Sequence, residues 1–95
     1  MNQTVENLGV TATQLAAKIY ENGPLILFDL RNIDEFEKSH IAGSVHAVCD
    51  VRAKETIMPK IPKKAEIILI SDPDEFAKNA AQMMISFGLN ANYLI

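Results

Sequence analysis

The 95-residue sequence predicts an α/β domain with a mostly parallel central sheet flanked by helices. Three observations carry this. Helix-like and strand-like segments alternate along the chain, the order expected of an α/β sheet. Leu25-Ile-Leu-Phe28 and Ile67-Ile-Leu-Ile70 are short continuous apolar runs, as in parallel strands buried on both faces. Phe76, Ala80, Met83 and Phe87 recur along one face of a helix.

The elements follow in order. Thr11-Ala-Thr-Gln14 has the pattern of a capping box, with Gln14 placed to reach back. Leu15, Ile19 and the alanines between them form an apolar face, and Gly23-Pro24 stops that helix. A strand is expected over 25–29. Asn32 is expected to cap a short helix running through Lys38, and Val45–Val48 to form a second strand. Residues 50–65 are the least regular, because Pro59 and Pro62 break any helix begun near Asp50. Arg52, Lys54, Lys60, Lys63 and Lys64 fall there and read as a solvated connection. Strand 66–70 leads to a helix over 76–87, in which Met83-Met84 reads as core filler. Gly88 ends the helix and a last strand covers 92–95.

The bulk numbers set limits. A chain of this length is one small domain with a thin stability margin. Apolar residues make up 48% and charged residues 22%, ordinary values for a globular protein. A net charge of −3 argues against nucleic acid as a partner, and no apolar run approaches the length that spans a bilayer. The opening Met-Asn-Gln-Thr-Val-Glu has no basic region leading into an apolar stretch, so no secretory leader is expected. The single cysteine, Cys49, excludes an internal disulfide and fits a cytoplasmic location. Its ordinary role would be that of a small, partly buried apolar residue. His46, Cys49 and Asp50 do not make a metal site, since strand alternation places His46 and Cys49 on opposite faces. Neither metal nor cofactor is expected.

Asp29-x-Arg31, Glu35-Phe36 and His40-Ile41-Ala42-Gly43-Ser44, in this order, resemble the signature of rhodanese-like domains. The resemblance extends over nearly the whole chain. It takes in a short strand and helix from Val10 to Glu21, and the distance from Ser71 to Gly88 matches the family's distance from catalytic cysteine to a helix-ending glycine. It implies the rhodanese-like fold, with Asp29 at the carboxyl end of a buried strand, where open α/β sheets place functional groups. Arg31 and Glu35 are four apart and suited to pairing. His40 is expected to donate to a nearby carbonyl, and Gly43 to supply a backbone angle that other residues resist.

The same resemblance marks departures. Active members take a sulfane sulfur onto a cysteine thiolate, held in a loop that cradles anions at a helix N-terminus. At the matching place this chain reads Ser71-Asp72-Pro73-Asp74-Glu75-Phe76. Serine carries no persulfide, Pro73 removes an N–H donor, and Phe76 stands where the family has arginine. Each of the three carboxylates would repel an anion ~5 Å away by ~3 kcal/mol at an effective dielectric near 20. Ser and Asp are good N-caps, so the loop reads as a helix start that needs no ligand. Members of the family also continue past the last strand with a Gly-Gly turn and a helix, whereas this sequence stops at Ile95. A C-terminally shortened domain would leave an apolar face, near Phe87, Leu89, Tyr93 and Leu94, for a partner or a second copy to cover.

The expected function is a catalytically inactive module with a binding or regulatory role, docked on a protein partner or a fused domain. The alternatives are a sulfurtransferase or sulfur carrier that uses Cys49 or a partner's cysteine, and a structural remnant of a larger protein.

Overall fold

A computed structural model describes residues 9–21, 23–50 and 52–95. The opening segment read for a leader lies outside these residues, as does the side chain of Lys54. The elements are β1 (Gly9–Val10), α1 (Ala12–Glu21), β2 (Leu25–Asp29), α2 (Ile33–Lys38), β3 (Val45–His46), α3 (Ala53–Thr56), a 3₁₀ turn (Met58–Lys60), β4 (Glu66–Ile70), α4 (Glu75–Ser86) and β5 (Asn90–Leu94). The five strands form one sheet in the order β1-β5-β4-β2-β3, with every pair parallel.

β4 lies at the centre, and Ile67, Ile68 and Leu69 are fully buried. Their side chains alternate between two cores. Ile67, Leu69 and Ala91 meet Ala77, Ala80, Ala81 and Met84 of α4, with Ala53, Met58 and Ile61 closing that layer. Ile68, Leu27 and Val10 meet Leu15 of α1 on the other face, with Leu25, Ile41 and Leu94 at its margin. Burial on both faces explains why the β4 run shows no polar alternation.

The capping box forms as expected. The Gln14 N–H donates to Thr11 Oγ1 at 3.2 Å, and Thr11 N–H donates to Gln14 Oε1 at 2.9 Å. Gly88 has a φ of +101°. Its N–H donates to the Ile85 carbonyl and that of Leu89 to Met84, the paired bonds of a Schellman end. Gly43, at φ +88°, turns the chain between α2 and β3, as its expected backbone role requires.

Several expectations are corrected. α4 buries Ala77, Ala80, Ala81 and Met84, itself an i, i+3, i+4, i+7 stripe, rather than Phe76, Ala80, Met83 and Phe87. Small side chains let this helix lie close on the sheet, and the larger Phe76 is left 62% exposed. β3 ends at His46, so it is shorter than the expected 45–48, and β5 starts at Asn90 rather than 92. Asn32 occupies the N-cap position of α2, but its side chain makes no capping bond. β5 is an interior strand between β1 and β4. Leu89 is buried, while Tyr93 and Leu94 pack against the two cores, so these three do not form an open face.

Candidate functional site

The register of the sheet sets the site. Asp29, the last residue of β2, stands opposite Ile70 of β4 and His46 of β3, so three strand ends meet at the carboxyl edge. Asp29 is only 1% exposed. Its carboxylate accepts from the Arg31 N–H at 3.0 Å, from Nε at 3.0 and 3.1 Å, and from Nη2 at 2.8 Å. Burial alone raises the pKa of this carboxyl. Hydrogen bonds from the Arg31 side chain and backbone, together with its charge, outweigh burial and hold the group below its ordinary 3.8. Arg31 therefore pairs with Asp29, two residues back, instead of with Glu35. It precedes α2, so the helical spacing to Glu35 does not apply.

The same guanidinium extends the network. Arg31 Nη2 donates to the Ser39 carbonyl at 2.7 Å, fastening the far end of α2. His46 Nε2 donates to the Arg31 carbonyl at 2.8 Å. A carbonyl only accepts, so Nε2 carries the proton. His40 Nδ1 donates to the Phe36 carbonyl at 2.7 Å, and its ring stacks on Phe36 with centroids 3.8 Å apart. This is the expected carbonyl bond. Ser44, also buried, donates its hydroxyl to the Ile41 carbonyl. Asp29 and Arg31 thus brace the loop between β2 and β3.

The 71–76 loop follows β4 directly. Ser71 Oγ donates to the Pro73 carbonyl at 2.6 Å and accepts from the Ala77 N–H at 2.8 Å. The N–H of Phe76 points to the Pro73 carbonyl and that of Lys78 to Asp74. The expectation that Ser or Asp caps this helix is met by Ser71 alone. Asp74 holds the N-cap position without a side-chain bond. Asp72, Pro73, Asp74 and Glu75 are all exposed.

Three clefts open along this edge. Asp29, Arg31, His40 and Asp72 share one of about 450 Å³ with Ser39, Ile41 and Ile70. Ser71, Asp72, Pro73 and Asp74 border a second with Leu94 and Ile95. The third and largest, about 630 Å³, brings Phe76 and Cys49 together with Arg31, His46, Ile33 and Val48. Glu35 and Gly43 line none of the three. His46 and Cys49 line one groove, contrary to the strand-alternation argument, because β3 ends at His46 and its alternation does not extend to Cys49. No group of three His, Cys, Asp or Glu side chains suited to a metal occurs among the described residues. Sequence reasoning missed the apolar groove because it placed Phe76 in the core. The alanines at 77, 80 and 81 were the signal that α4 packs by its small side.

A family description of the rhodanese-like domain matches residues 11–95. The chain belongs to the rhodanese-like family. Solved structures agree on the fold. The rhodanese-related protein of Thermoplasma volcanium superposes with a TM-score of 0.74 at 16% identity, over 90% of this chain and 81% of that one. The Alr3790 protein of Anabaena sp. gives 0.74 at 18% identity, over 90% and 69%. Reduced CoADR-RHD of Bacillus anthracis gives 0.73 at 22% identity, over 90% of this chain but only 15% of that longer one. No curated protein matches the chain. Among the described residues, no helix of this rhodanese-like domain is long and apolar enough to cross a membrane.

Proposed function

We propose that this is a non-catalytic rhodanese-like module that acts by binding a protein partner. The reading takes Ser71 as the counterpart of the family's sulfur nucleophile. The observation that carries it is the state of the Ser71 hydroxyl, which is engaged both as donor to Pro73 and as acceptor from Ala77. A nucleophilic oxygen needs a base to take its proton, and this proton is held by a carbonyl that cannot accept it chemically. The loop's carboxylates at 72, 74 and 75 oppose anionic sulfur donors.

Cys49 is poorly suited to supply the missing chemistry. Partial burial pushes its thiol above the ordinary 9.0, and the charge of Asp50 adds to this. Sulfur transfer requires the thiolate. The fold's occurrence as a small part of the longer Bacillus anthracis chain is consistent with use as a module.

The test is sulfur transfer from thiosulfate to cyanide, assayed for the wild type and for Cys49→Ser. Both should equal the protein-free blank. Turnover above the blank that disappears in Cys49→Ser would overturn the reading in favour of a sulfurtransferase.

A further inference from the structure

We draw no further inference here: the strongest candidate, the groove beside α4 onto which the exposed side chains of Ile33, Val48 and Phe76 converge, carries nothing, because nothing in the structure shows what covers it.

Discussion

The hydroxyl of Ser71 accepts a hydrogen bond from the Ala77 N–H, at 2.8 Å, across the start of α4. It satisfies one of the donors that every helix leaves open in its first turn. Because Asp74 makes no side-chain cap, Ser71 is the side chain that does this work. Ser71→Ala should cost about 1 kcal/mol, read as a Tm lower by ~4–8 °C. An unchanged Tm would show that the bond contributes nothing to stability. Ser71→Cys should also destabilise, since sulfur is a weaker acceptor, and should leave the sulfur-transfer assay at the blank.

Asp29 and Arg31 form the ion pair of the site, with the carboxylate buried and the guanidinium half-buried. Asp29→Asn leaves the guanidinium without its charge partner and should cost about 3 kcal/mol in urea unfolding at neutral pH. The sign with pH follows from the lowered pKa. A carboxyl whose folded pKa lies below its ordinary 3.8 contributes fully above 3.8. That contribution falls as the pH drops below 3.8, and is gone once the pH passes below the folded value. The stability gap between wild type and Asp29→Asn should therefore narrow between neutral pH and about pH 2. A gap independent of pH would mean that Asp29 acts by packing and not by charge. Should Asp29→Asn fail to fold, Arg31→Lys offers a milder loss of the two-pronged geometry, with the same acid dependence retained.

Local patterns were the readable part of this fold. Thr11 and Gln14, the Gly88 stop and the β4 run act through neighbours in sequence, and each formed where expected. What sequence periodicity could not fix was the choice between overlapping helix faces. On α4 the stripe 76, 80, 83, 87 and the stripe 77, 80, 81, 84 are both periodic, and hydrophobic size favours the first. Close packing of the helix on Ile67 and Leu69 decided for the second. The Asp29–Arg31 pairing was hidden for a related reason. Which carboxylate meets the guanidinium depends on where α2 begins, and it begins at Ile33.

Gly88 is a place where backbone geometry alone can be tested. Its φ of +101° is one that side-chain-bearing residues resist, and it closes the bonds from Gly88 to Ile85 and Leu89 to Met84. Gly88→Ala should destabilise by about 1 kcal/mol. Gly23→Ala is the control, because a Cβ there meets no atom within 4 Å and Gly23 has no positive φ. It should stay within about 0.5 kcal/mol of the wild type. Equal effects at the two sites, by thermal unfolding, would remove the backbone explanation.

Cys49 should behave as an unreactive thiol. It lies half-buried on the floor of the groove, and burial together with Asp50 raises its pKa above 9.0. The thiolate is therefore the minor form at neutral pH. Alkylation by iodoacetamide should be slow at neutral pH, accelerate as the pH is raised through 9, and become fast in urea, where the burial is lost. Incubation with thiosulfate should leave the mass unchanged, since a persulfide forms only when a thiolate attacks the sulfane sulfur and releases sulfite. Mass spectrometry showing one added sulfur atom on the wild type, absent from Cys49→Ser, would show that this thiol accepts sulfur after all. In that case the groove around Val48 and Phe76 would be a donor-binding pocket, and the domain an enzyme rather than a binding module.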